Sequence, residues 1–87
     1  MTKITTVEHV LVKYIRDKKG NPRGVIVAIG ATEFGYALVA KGEVFRKKVG
    51  RTIAVGRALK HGPNVQMPLR LVHEVEIMSA RAKRYFK

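Results

Sequence analysis

The pattern of apolar residues changes near Gly42, and this change restricts the fold more than any other feature of the sequence. Before Gly42, the runs VEHVLVKYIR (7–16) and FGYALVAK (34–41) are rich in strand-forming residues and place apolar side chains at the two-residue period of a strand. The run VIVAI (25–29) is apolar at every position, as in a central strand that is covered on one side and crowded on the other. After Gly42, apolar residues recur at helical spacing up to Phe86.

Short connections join the three predicted strands. The segment DKKGNPRG (17–24) has the Gly, Asn and Pro residues of a turn, and residues 30–33 form a second short connection. We therefore predict an antiparallel three-stranded meander over about residues 7–41, followed by helices over about 43–60 and 68–86. The fold class is α+β, in the order β-β-β-α-α, with both helices packed on one face of the sheet. The chain of 87 residues has room for a single domain.

The first predicted helix has two contrasting arcs when its residues are placed about 100° apart. The arc predicted to face the sheet consists of Phe45, Val49, Thr52, Ile53, Gly56 and Leu59. The opposite arc carries Arg46, Lys47, Arg51 and Arg57, interleaved with Gly50, Ala54 and Ala58. We expect this small-residue strip to let the helix backbone approach a partner closely. The alternative is that Gly50 and Ala54 serve helix–sheet packing.

Positive charge greatly exceeds negative charge. Lys and Arg number 18 against 6 Asp and Glu, which gives a formal net charge of +12. Self-repulsion at this level destabilises a compact domain, and a polyanionic partner is the simplest reason to carry it. We therefore predict a nucleic-acid-binding protein that contacts phosphates of duplex DNA, in preference to RNA, with little sequence specificity. The candidate contact residues are Arg46, Lys47, Lys48, Arg51 and Arg57, with Lys18, Lys19 and Arg23 in the first turn.

Enzymatic and metal-binding functions find little support in the residues. The chain has no Cys, and its three His residues lack HxxxH or HExxH spacing. Glu74 and Glu76 are two positions apart on a helix and so point to different sides. No GxSxG, GxGxxG or GxxxxGK[ST] motif is present. We expect no enzymatic activity, no metal and no cofactor. Because no apolar run approaches the roughly 20 residues that span a bilayer, we expect a cytoplasmic protein without membrane association.

Three alternatives stay open. The same basic surface could bind an acidic face of a host enzyme, such as RNA polymerase or a nuclease, and so inhibit or modulate it. Leu69 and Ile77 fall outside the apolar stripe of the second helix, and they are either scattered surface residues or the contact of a homodimer. The stripe, which we expect to be buried, consists of Leu71, Val72, Val75, Met78, Ala82, Tyr85 and Phe86. Phe34 and Tyr36 share a strand face, and they could stack bases if that face is open or fill the core if it is covered.

Four segments carry a resemblance to a known group of proteins. These are GVIVA (24–28), GYA (35–37), KKVGRTIAVGRA (47–58) and the ending RAKRYFK (81–87). They look like parts of small, mostly uncharacterised tailed-bacteriophage proteins, in which a Gly-aromatic-Ser strand precedes a helix reading K-x-x-G-x-x-I-A-x-G-R-A. In this chain Ala37 stands in place of the Ser, and the Cys of that strand is absent. The resemblance implies a phage early or accessory protein that acts during host takeover in a bacterial cytoplasm, and it supplies no activity.

Overall fold

A computed structural model describes residues 10–40, 42–61 and 66–86 of the chain. The elements are β1 (Leu11–Arg16), β2 (Pro22–Ala28), β3 (Phe34–Leu38), α1 (Lys47–His61), a 3-10 turn (Leu69–Leu71) and α2 (Val72–Tyr85). The strands form one antiparallel sheet in the order β1-β2-β3. The predicted α+β class, the meander and the element order are thereby confirmed. The first residues of the predicted first strand, 7–9, lie outside the described residues.

The turn between β1 and β2 is held by the side chain of Asp17. Its carboxylate accepts hydrogen bonds from the backbone N–H groups of Lys19 and Asn21, both at 2.9 Å. Gly20 has a φ of 88°, a left-handed conformation that costs a glycine little. The guanidinium of Arg16 donates to the carbonyl oxygen of Gly20 at 2.8 Å. The turn-forming residues of the sequence therefore close the hairpin as expected.

The two helices pack on opposite faces of the sheet, which corrects the prediction that they share one face. Val25 and Val27 of β2 belong to a buried cluster with residues of α1, whereas Ile26 and Ala28 belong to a second cluster with residues of α2. All four side chains are fully buried. Successive side chains of a strand point to opposite faces, so a strand that is apolar at every position needs cover on both faces. The sheet is therefore the middle layer of three.

Helix α1 turns its smallest residues toward the sheet, the reverse of the predicted orientation. The buried residues of this helix are Gly50, Ala54 and Ala58. The larger apolar residues that were predicted to face the sheet are instead exposed: Val49 at 53%, Ile53 at 43% and Leu59 at 50%. Only Phe45, just before the helix, is buried as predicted. The packing alternative for the small residues is thereby confirmed.

The reason for this orientation lies in β3. Gly35 faces α1, and a Cβ atom at this position would overlap the carbonyl oxygen of Ala54 and approach the backbone nitrogen of Ala58. The helix backbone thus lies directly on the strand backbone, and only small residues fit between them. This close approach buries Val25 and Val27 under the helix. Tight packing of backbone against backbone replaces the contacts that larger side chains would have made.

Helix α1 begins at Lys47, later than the predicted start near residue 43. Gly42 has a φ of 91°, and the N–H of Glu43 donates to the carbonyl oxygen of Ala40 at 3.0 Å. The Glu43 carboxylate in turn accepts a hydrogen bond from the N–H of Ala40 at 3.2 Å. These bonds form a turn after β3, and the chain then passes Phe45 before the helix begins.

Helix α2 covers the second face of the sheet. Met78 and Ala82 are buried in it, together with Leu71 of the preceding 3-10 turn. Val72 and Tyr85, which were predicted to belong to the buried stripe, are exposed, so the stripe is narrower than expected. The predicted exposure of Leu69 and Ile77 is confirmed. An ion pair of 3.0 Å between Lys13 Nζ of β1 and Glu74 Oε1 of α2 joins the two layers.

Candidate nucleic-acid interface

The tip of the β1–β2 hairpin and the start of α1 lie at the same end of the molecule. Arg23, at the start of β2, donates hydrogen bonds of 2.9 Å to the carbonyl oxygens of Ala40 and Glu43. These two residues bracket the turn that leads from β3 into α1. A long-range contact through Arg23 therefore brings together two groups of cations that are about 28 positions apart in the sequence.

Aromatic packing fixes the start of α1 above β1. The ring of Phe45 meets the ring of Tyr14 edge-on, with centroids 6.2 Å apart and planes at 73°. Lys47 Nζ lies 5.1 Å from the centroid of the same Tyr14 ring, which is a cation–π distance. Lys47 is thus held against the tyrosine ring, and the residue as a whole remains exposed.

We call the cations of the β1–β2 turn and of the start of α1 the basic end. Each of them is exposed. The basic end consists of Lys18, Lys19, Lys47, Lys48 and Arg51. All five were predicted as contact residues. Arg16 lies at the base of the same hairpin and was missed, although its position directly before the DKKG turn was a signal for it.

Little negative charge opposes the basic end. The first turn of α1 contains no acidic residue. The carboxylates of Asp17 and Glu43, the nearest acids in sequence, accept hydrogen bonds from backbone N–H groups. Neither the ion pair between Lys13 and Glu74 nor the 4.0 Å contact between His73 Nδ1 and Glu76 Oε1 involves a cation of the basic end. The charge of the basic end, added to the positive end of the helix dipole, makes this region attractive to an anion.

Three predicted contact residues are not counted in the basic end, because their side chains make other contacts. Arg23 directs its guanidinium at two backbone carbonyls, as described above. Arg57 lies about 15 Å farther along α1 than Lys47, by the rise of an α-helix. Its guanidinium donates to the carbonyl oxygen of Tyr36 at 2.9 Å and lies 5.0 Å from the centre of the Tyr36 ring. Arg46 borders an apolar groove between α1 and β3.

The strip of small residues on α1 is not part of any open surface. Gly50, Ala54 and Ala58 are buried on the sheet, so the expectation that they let a partner approach the helix is wrong. Phe34 and Tyr36 are half-buried and pack against the cluster beneath α2. They are therefore mainly core residues and do not form a bare platform for bases.

Comparison of the chain with family models, with curated proteins and with solved structures gives no match. Among the described residues, no three metal-ligating side chains of His, Cys, Asp or Glu come together. None of the helices in the described part of the chain has the length and apolar character needed to cross a bilayer.

Proposed function

We propose that this protein binds nucleic acid, with duplex DNA as its main ligand, through phosphate contacts at the basic end. The observation that carries the proposal is that the hairpin turn with Lys18 and Lys19 and the start of α1 with its cations lie at the same end of the molecule. None of the five cations of the basic end is ion-paired within the described chain. Cations that repel each other and have no internal partner lower the stability of the fold. A polyanion that spans both groups removes this repulsion.

The position of the cations at the start of α1 adds to the argument. Lysines in the first turn of a helix oppose the helix dipole, so they destabilise the free protein. A phosphate at this place interacts favourably with the lysines and with the backbone N–H groups of the helix terminus. Bound DNA therefore converts two unfavourable terms of the free protein into favourable ones.

The composition of the basic end argues for binding with little sequence preference. Four of its five members are lysines, which act as point charges toward phosphates and lack the bidentate geometry that reads guanine. Asn21, in the hairpin turn, is the one amide side chain near these cations among the described residues. We therefore propose a non-enzymatic DNA-binding protein. On the resemblance to tailed-phage proteins, we propose that it acts on DNA in the cytoplasm of an infected bacterium.

The proposal is tested by fluorescence anisotropy of labelled duplex DNA, single-stranded DNA and duplex RNA of one sequence. Each is titrated with protein from low salt to about 200 mM salt. We expect the duplex DNA to bind most tightly, and log K to fall against log salt with a slope of about −4 to −5 if about five phosphates are neutralised. A slope near zero would refute phosphate binding. Tighter binding to duplex RNA would replace DNA by RNA as the proposed ligand, and the basic end would remain the proposed binding surface.

The alternative partner, an acidic protein, differs in its response to salt. Such a complex would bury apolar surface as well as charge and would therefore survive a salt concentration that releases DNA. If no nucleic acid binds at low salt, this alternative replaces the DNA proposal, and the same basic end is its first candidate surface.

A further inference from the structure

Strand β3 lies at one edge of the sheet and has one side without a partner strand among the described residues. The N–H of Val39 donates to the carbonyl oxygen of Arg23, and the carbonyl oxygen of Glu33 accepts from the N–H of Ile29. By alternation, Gly35 and Ala37 also direct their backbone groups to β2. The carbonyl oxygen of Tyr36 points outward, since it accepts the hydrogen bond from Arg57 of the helix. Because backbone groups of alternate residues point to the same side of a strand, Phe34 and Leu38 also present their N–H and C=O groups to the outer side.

An apolar part of α1 lies beside this open edge. Val49 and Ile53 are among the exposed apolar residues of the helix, and Val44 before the helix is 81% exposed. Together with residues 37–39 of β3 and its continuation they line a groove of about 150 Å³. A strand added to β3 would place alternate side chains on the α1 side, against Val49 and Ile53. The helix thus offers an apolar cover for a strand that the described chain does not supply.

The charge around the groove selects among occupants. Arg46 lines the groove, and Arg57 lies at the outward carbonyl of Tyr36. A second copy of the chain would bring a net charge of +12 and the same two arginines against them. Like charges at an interface cost affinity. If the apolar side chains of an added strand face α1, its alternate side chains lie on the face of the Tyr36 ring, where carboxylates would pair with the guanidinium of Arg57. The charge therefore favours an acidic segment of another protein.

We propose that the open edge of β3 binds an extended peptide of another protein, in which apolar and acidic residues alternate, as a fourth strand of the sheet. Its apolar side chains occupy the groove beside Val49 and Ile53, and its backbone pairs with the outward groups of Phe34, Tyr36 and Leu38. This mode is β-strand addition. The proposal is independent of DNA binding, because the basic end contributes no residue to the groove.

Arg57 has a defined part in this exchange. In the free protein its guanidinium serves the carbonyl oxygen of Tyr36, where an added strand would place a backbone N–H. When the strand arrives, Arg57 leaves the carbonyl and pairs with a carboxylate of the peptide. A neutral strand displaces the guanidinium of Arg57 from the Tyr36 carbonyl oxygen and offers it no new partner, so Arg57 lowers the affinity for such a strand. An acidic strand offers a carboxylate, so Arg57 raises the affinity for it.

The test uses the full chain and short synthetic peptides in which Val alternates with Glu, Ser or Lys, followed by calorimetry and by NMR of the backbone amides. We expect the Val/Glu peptide to bind best, the Val/Ser peptide more weakly and the Val/Lys peptide not at all. The amide signals of Phe34 and Leu38 should shift and become protected from hydrogen exchange. N-methylation of a Val/Glu peptide at alternate amides removes the N–H donors along one edge of the strand. The peptide should then no longer bind through that edge.

Two matched variants separate the groove from general surface effects. Ile53→Glu places a charge in the groove, whereas Leu59→Glu makes the same change at an exposed leucine of α1 that lies outside it. We expect Ile53→Glu to weaken the Val/Glu peptide by about tenfold or more, as for a central contact of an interface. Leu59→Glu should leave peptide binding unchanged, and the two variants should bind DNA alike.

Three results would overturn the proposal. One is equal binding of the Val/Glu and Val/Lys peptides, and another is an equal effect of the two variants on the Val/Glu peptide. The third is self-association, seen in sedimentation and abolished by Ile53→Glu, which would assign the edge to a second copy of the chain. Arg57→Ala gives a further readout, since it should reduce the ratio of acidic to neutral peptide affinity even where both peptides still bind.

Discussion

Gly35 of β3 faces the carbonyl oxygen of Ala54 in α1, with no room for a side chain between them. This contact decides which side of the helix is buried. It places Gly50, Ala54 and Ala58 on the sheet and leaves the larger apolar residues of the helix outside. Both the basic end and the apolar groove depend on this orientation, because rotation of the helix would bury one set of these side chains and move the other.

The Gly35–Ala54 contact predicts a large loss of stability for Gly35→Ala. The added methyl group meets backbone atoms, which cannot move as a side chain would, so we expect a loss of about 3 kcal/mol in the free energy of unfolding. The control is Gly56→Ala, since Gly56 is exposed on α1 and a Cβ atom there meets nothing within 4 Å. Gly56→Ala should stabilise by about 0.5–1 kcal/mol. Similar urea midpoints for the two variants would contradict the packing.

Arg57→Ala tests the cover of the β3 edge. The variant loses the hydrogen bond to Tyr36 and the contact with its ring, so we expect unfolding to become easier by about 1 kcal/mol. It also exposes the middle of an edge strand, which promotes pairing between chains. Urea denaturation and sedimentation velocity measure the two effects. Arg51→Ala removes an exposed arginine of the same helix and should change neither quantity; if it matched Arg57→Ala, general charge would be the cause.

Arg23→Met separates a structural role from a role in binding. The variant removes two hydrogen bonds that join β2 to the turn before α1. The carbonyl oxygen of Glu43 loses its donor, whereas that of Ala40 keeps the N–H of Glu43. We expect a loss of about 2 kcal/mol in the free energy of unfolding. The salt dependence of DNA binding should change less than for a lysine of the basic end. A stable Arg23→Met protein with a much weaker salt dependence would instead assign Arg23 to the phosphates.

The ion pair between Lys13 and Glu74 connects β1 to α2 and is about one-third exposed. A double-mutant cycle with Lys13→Met and Glu74→Gln should give a coupling energy of about 0.5–1 kcal/mol, because solvent screens a pair at this exposure. The coupling should decrease as salt increases. A coupling indistinguishable from zero at low salt would mean that the pair does not hold the layers together.

The strands, the hairpin turn and the two helices were predictable because their signals are local. Asp17 and Gly20 are turn residues wherever they occur, and apolar periodicity distinguishes strand from helix without knowledge of the fold. The run VIVAI also contained the signal for cover on both faces, since the successive residues Val25 and Ile26 point to opposite faces and could not both be buried by helices on one side. The rest of the strand pattern carried no such constraint.

The orientation of α1 and the composition of the site were not predictable in the same way. Ranking residues by size assigns Val49 and Ile53 to the core, whereas the close approach of the helix backbone to Gly35 of the preceding strand reverses this order. Likewise, charge alone made Arg23 and Arg57 equal to the lysines of the basic end. Their long-range hydrogen bonds to backbone carbonyls distinguish them, and such bonds leave no trace in the local sequence.

The measurement that tests the central claim most directly is the salt slope of duplex DNA binding for two variants of equal net charge. Lys47→Glu with Lys48→Glu alters the basic end, whereas Lys60→Glu with Lys83→Glu makes the same change near the ends of α1 and α2. We predict that the first pair reduces the slope by about 2 and weakens binding at least tenfold, while the second pair largely preserves the slope. Equal losses for both pairs would contradict a localised phosphate site at the basic end.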